Sequence, residues 1–311
     1  MKRRFAMVMA AMMAAGMLAG CSGKAEETTA VQTTAAETEA AEAETAAASG
    51  EAEAEEPASE AAEAASEEEA ASEAAASGEE TEILVAAAAS LKNAYEEELI
   101  PMFEEANPGV TVSGTYDSSG KLQTQIEEGL EADVFMSAAT KQMDALNEEG
   151  LIASDTIVNL LENKIVLIVP SSSELGLTAF EDIAKAETIA LGDPASVPAG
   201  QYAEEALTNL GIWDSIQDKV SFGTNVTEVL NQVAASSADA GIVYATDATS
   251  MADQVTVIAE APEGSLAEPV IYPVAVVANS AHPDEANAFV EFLKTDEAMA
   301  VFEAYGFSAG Q

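Results

Sequence analysis

From Ile83 onward, short apolar runs alternate with helical patterns, and this alternation most constrains the fold. Ile83–Ala88, Val110–Tyr116, Asp133–Met136, Lys164–Val169, Ile189–Gly192, Gly241–Tyr244 and Val270–Ala278 read as strands. Between them come helical stretches: Ser90 to about Ala106, Gly120–Gly129, Lys141–Glu149 and two after His282-Pro283-Asp284. Asn107-Pro108-Gly109 and Gly150 are stop signals. Lys164–Val169 is almost wholly apolar, as in a strand covered on both faces. Such alternation predicts an α/β fold with mainly parallel sheets flanked by helices. Ligands of such sheets sit beyond the carboxyl ends of strands, where helices open.

One such opening is Tyr116-Asp117-Ser118-Ser119-Gly120-Lys121. It places two hydroxyls and unpaired backbone N–H groups at a helix start, where the helix dipole favours negative charge. The same letters permit a Ser118-x-x-Lys121 nucleophile in an envelope serine enzyme. No Ser-Asp-Asn or Lys-Thr-Gly accompanies it, and Lys294-Thr295-Asp296 is the nearest fragment. A phosphate loop fails because Leu122 follows Gly120-Lys121 and the glycine spacing is missing. The single histidine, His282, precedes a proline at a helix start and reads as a turn residue rather than a base. Glu96-Glu97-Glu98, Glu127-Glu128 and Glu204-Glu205 read as solvated helix faces, and Trp213 as packing.

The first 81 residues are of another kind. Lys2, Arg3 and Arg4 precede an apolar run, Phe5–Met17, too short to span a bilayer, and then Leu18-Ala19-Gly20-Cys21. This pattern resembles a bacterial lipoprotein signal: residues 1–20 would be removed and Cys21 lipidated. Cys21 is the only cysteine, so the chain can form no internal disulfide and no cysteine-based metal site. Residues 21–81 are mostly Ala, Glu, Thr and Ser, with no aromatic residue. They bury too little to offset ordering entropy and read as a disordered acidic tether. Its r.m.s. reach is on the order of 45 Å.

The net charge is −45, and after Arg4 there is no arginine. Nucleic acid is therefore an unsuitable partner. Any anion site must also work without guanidinium groups.

Four segments then resemble one family. They are Ala86–Ala94, Ser118–Ala138, Gly192-Asp193-Pro194-Ala195-Ser196-Val197-Pro198-Ala199-Gly200 with Gln201–Ala203, and Gly241-Ile242-Val243-Tyr244-Ala245-Thr246-Asp247-Ala248. Together they are similar to the molybdate-binding proteins of bacterial ABC transporters, over roughly Glu82 to Phe307. The resemblance implies a two-lobed type II periplasmic-binding-protein fold. Residues 82–161 with 270–311 would form lobe 1 and residues 162–269 lobe 2, with hinge crossings near Asn163–Pro170 and Ala267–Pro273. It implies no enzyme, no cofactor and no cationic metal. The ligand would be molybdate or tungstate, held in the cleft of a monomer by Ser90, Ser119, Ala199, Val226 and Tyr244. The serines would donate hydroxyl and backbone N–H, Ala199 and Val226 their N–H, and Tyr244 its phenol. The partner would be an ABC permease, with the chain lipid-anchored through Cys21 on the outer face of the cytoplasmic membrane. Another oxyanion such as sulfate, or a ferric-iron ligand for the chain's six tyrosines, is the alternative within the same fold.

The physics is consistent with such a site. At physiological ionic strength the Debye length is about 8 Å, so local dipoles outweigh the bulk charge. Each charge-assisted hydrogen bond contributes roughly 1.5–3 kcal/mol. A donor-only lining suits a fully deprotonated dianion. Hydrogen phosphate would be excluded if the lining holds no carboxylate or other acceptor.

Overall fold

A computed structural model describes residues Glu80–Gly310. The signal peptide 1–20, the lipidation site Cys21 and all but the end of the tether lie outside the described residues.

Two mixed sheets organise the chain. The first contains β1 (Thr81–Ala88), β2 (Val110–Asp117), β3 (Val134–Met136), β4 (Val158–Asn163), β10 (Val270–Val276) and β11 (Ser308–Ala309), in the order β11-β4-β10-β3-β1-β2. The second contains β5 (Ile165–Pro170), β6 (Ile189–Gly192), β7 (Val220–Gly223), β8 (Ala240–Tyr244) and β9 (Val255–Glu260), in the order β7-β6-β8-β5-β9. The parallel pairing expected from alternation holds within two strand groups, β2-β1-β3 and β7-β6-β8. The remaining strands pair antiparallel. The reason is the crossing: β4 runs into β5 through Lys164 alone, and β10 returns beside β4. A strand that merely changes sheets has no helix to turn it parallel. The all-buried runs of β5 and β10 fit either direction, so their composition carries no sign of it.

Helices follow the parallel strands. A continuous helical run, α1 (89–106), contains a π-helical stretch at Tyr95–Leu99. Then come α2 (Ser119–Glu127), α3 (Thr140–Glu148), α4 (Pro198–Asn209), α5 (Val226–Ala234), α6 (Ala245–Ser250), α7 (Pro283–Leu293) and α8 (Asp296–Ala304). Their apolar faces cover the sheets; α5, for instance, buries Val226, Val229, Leu230 and Val233. Leu91, Tyr95, Leu99 and Phe103 bury the corresponding face of α1. Phe103 meets Phe289 of α7 edge to face at 5.0 Å.

Because β1, β2 and β3 run parallel, their carboxyl ends share one edge. The ends of β6, β7 and β8 share another. The segments that leave these two edges meet. Gly120 N–H donates to the carbonyl of Ser196 at 3.0 Å, linking the two sheet systems through their backbones. A β-carbon at Gly120 would stand 2.7 Å from Ser196 Cα, so only glycine allows this approach.

Candidate functional site

The site grows from helix starts. Ser118 ends the extended segment after β2 and occupies the N-cap of α2 without using its side chain as a cap. Ser119 is the first residue of that helix. Ser90 lies in the first turn after β1, Ala199 in the first turn of α4 after Pro198, and Val226 at the start of α5. First-turn N–H groups have no preceding turn to supply an acceptor. Tyr244 ends β8.

These five positions line one small cavity of only about 10 Å³. Ala88, Ala89, Asp117, Ser118, Ala138, Val197 and Pro198 complete the lining. The five residues expected from the sequence come from five separate stretches, and the fold brings all five together. The first sheet system contributes Ser90 and Ser119, the second Ala199, Val226 and Tyr244.

The polar atoms have defined partners. Ser119 is fully buried, and its Oγ accepts the N–H of Ala138 at 3.0 Å. That bond uses an acceptor site and leaves the hydroxyl hydrogen free to donate. Tyr244 donates its O–H to the Ala138 carbonyl at 3.3 Å. Burial raises its phenol well above its ordinary pKa, so it remains a donor. Ser90 Oγ lies 3.0 Å from the hydroxyl of Tyr272. Asp247 accepts the N–H of Tyr244 at 3.2 Å and so caps α6. Burial pushes its carboxyl up to about 7, and that N–H bond partly opposes the rise.

Two further polar residues, Ser118 and Asp117, join the expected five in the lining. Ser118 was set aside as the enzyme's nucleophile, yet it is 3 % exposed and its Oγ has no hydrogen-bond partner. Its neighbour Lys121 is held by Asp117, at 3.2 and 3.3 Å, and so is committed elsewhere than to the serine. Asp117 brings a carboxylate to a lining expected to be neutral. Its Oδ1 already accepts from Ser118 N–H, Lys121 Nζ and, across the cleft, Asn225 Nδ2. The signal was available: Asp117 is the last residue of β2, directly before the serine pair.

A model of the family described as bacterial extracellular solute-binding protein matches residues 83–308. The chain belongs to this family. Within it, the chain is 42 % identical over 227 residues to a Bacillus subtilis protein provisionally named ABC transporter substrate-binding lipoprotein YvgL, covering 73 % of this chain and 86 % of that one. It is 40 % identical over 236 residues to the molybdate-binding protein ModA of Haemophilus influenzae, covering 73 % and 90 %. The Azotobacter vinelandii periplasmic molybdate-binding protein has the same fold, with a TM-score of 0.65 at 22 % identity over 74 % of this chain and all of that one. This solute-binding protein is therefore a ModA-like member of the type II periplasmic-binding fold, extracytoplasmic, and a carrier rather than an enzyme.

Proposed function

We propose that this solute-binding protein captures molybdate or tungstate in the cavity lined by Ser90, Ser119, Ala199, Val226 and Tyr244, and delivers it to an ABC permease. One observation carries the reading: donors from both sheet systems converge on one cavity, in a chain 40 % identical to a protein named for molybdate binding. The two serines supply O–H donors and the first-turn amides N–H donors; Tyr244 would add a third O–H by turning it from the Ala138 carbonyl to the anion. A fully deprotonated tetrahedral dianion accepts from every side and so matches that set.

The lining does hold one carboxylate, Asp117, whose acceptor sites are largely taken by the chain's own donors. Three donors already occupy Oδ1, and Lys121 offsets its charge. Size, rather than charge, must then reject sulfate. Lipid attachment at Cys21 would hold the protein on the outer face of the cytoplasmic membrane, with residues 21–81 as the spacer.

Isothermal calorimetry of the full-length chain in detergent, against molybdate, tungstate, sulfate and phosphate, tests this. Sub-micromolar binding of molybdate and tungstate with far weaker sulfate and phosphate is expected. No heat with molybdate or tungstate would sink the reading.

A further inference from the structure

A serine hydroxyl can donate or accept, and an oxyanion without a proton accepts only from a donor. Behind Ser90, a series of side chains decides which it does. The series starts at Asn163, the last residue of β4, where the chain leaves the first sheet. The backbone N–H of Lys164 donates to Asn163 Oδ1 at 2.8 Å. A backbone N–H cannot accept, so the amide oxygen must face it and the amide NH2 must point away. That NH2 reaches Thr246 Oγ1 at 3.0 Å and the Tyr272 hydroxyl at 3.2 Å. Tyr272 thus receives one hydrogen bond, and its single proton is left for Ser90 Oγ, 3.0 Å away. Ser90, accepting from Tyr272, keeps its own hydrogen for the cavity. The Tyr272 ring is fully buried, edge-on to Tyr244 at 5.5 Å and to Phe307 at 5.3 Å, which fixes where its hydroxyl points. Ser119 reaches the same polarity by a shorter route, because the Ala138 N–H that it accepts can only donate.

We propose that Asn163 and Tyr272 are positioning residues that order the proton on Ser90 and commit it to donate to the bound oxyanion. This rests on the oxyanion reading of the cavity. Asn163 and Tyr272 stand on β4 and β10, adjacent strands next to the chain's two crossings between sheets. The relay therefore ties the donor state of Ser90 to the geometry of the hinge.

A double-mutant cycle on the full-length chain, read by molybdate calorimetry, tests it. Tyr272→Phe keeps the ring and removes the hydroxyl, and should weaken molybdate binding about tenfold. In a Ser90→Ala background the same change should cost less than about twofold, because its route to the ligand is gone. Titration to millimolar molybdate keeps the weakened variants measurable. Asn163→Ala is the second variant; it should cost a few-fold in the natural background and nothing beside Ser90→Ala. Equal losses in both backgrounds would mean that Tyr272 is merely structural and would overturn the relay. So would an unchanged affinity for Tyr272→Phe. Failure of the natural chain to bind molybdate would instead sink the oxyanion reading itself.

Discussion

Asn225 and Asp117 meet across the cleft, Nδ2 to Oδ1 at 3.3 Å, while the same Asn225 side chain caps α5 by accepting Glu228 N–H at 2.9 Å. One amide thus serves two purposes, and its two ends can be separated by mutation. Asn225→Asp keeps the cap but faces Asp117 with a second carboxylate. Asn225→Ala loses both contacts. Urea unfolding should show Asn225→Ala destabilised by about 1 kcal/mol, the usual loss of a cap, and Asn225→Asp much less. Molybdate affinity should fall further in Asn225→Asp than in Asn225→Ala. The reverse order of affinities would show that the cross-cleft bond does not assist closure.

The two adjacent serines should respond differently. Ser119→Ala removes a hydroxyl held toward the cavity by Ala138 and should cost roughly 1.5–3 kcal/mol of molybdate binding. Ser118→Ala removes a buried hydroxyl with no partner. In the ligand-free protein it should leave stability unchanged or raise it by up to about 1 kcal/mol. A clear loss of ligand-free stability in Ser118→Ala would mean that its hydroxyl has a partner after all.

Gly120→Ala tests the closeness of the lobes. The added methyl would run into the Ser196 backbone, which cannot move aside as a flexible side chain could. Molybdate affinity should drop at least tenfold, and small-angle scattering with ligand should report a more open molecule than the natural chain. Normal affinity would show that the Gly120–Ser196 contact is dispensable for closure.

Asp247 makes stability depend on pH. Its carboxyl is raised by burial to about 7, above its value in the unfolded chain. Between about pH 4 and 7 the folded state therefore holds a proton that the unfolded state has lost. Stability attributable to this group falls as pH rises through that window. An amide in place of this carboxyl would not ionise and could still accept the Tyr244 N–H. Asp247→Asn should match the natural chain at pH 4 and exceed it by roughly 1–4 kcal/mol at pH 8, judged by urea unfolding. Parallel pH profiles for the two proteins would rule this out.

Much of this was legible in the sequence because particular residues have few alternatives. Asp193-Pro194 with Val197-Pro198-Ala199-Gly200 can only be a turn into a helix, and Gly200 lets α4 start against the backbone of β6. The strand ends Ala88, Gly192 and Tyr244 followed from apolar runs that stop at polar or small residues. Strand direction was less legible: β5 is buried on both faces whichever way it runs. The edge strands β7 and β9 went unseen, since Val220–Gly223 and Val255–Glu260 are short and half exposed. Asp117 was missed for a different reason. A carboxylate beside an anion site looks unfavourable until its three donors, one from the opposite lobe, are known.

The cavity's divided ownership has a kinetic consequence. Each lobe holds only part of the donor set, and the other lobe closes the exit. A seated anion would leave when the cross-cleft bonds of Gly120 and Asn225 let go together. Its dwell time is then set by how often the protein opens, not by the strength of any one contact. A permease that prises the lobes apart would become the clock for release, and spontaneous loss of cargo between encounters would be rare.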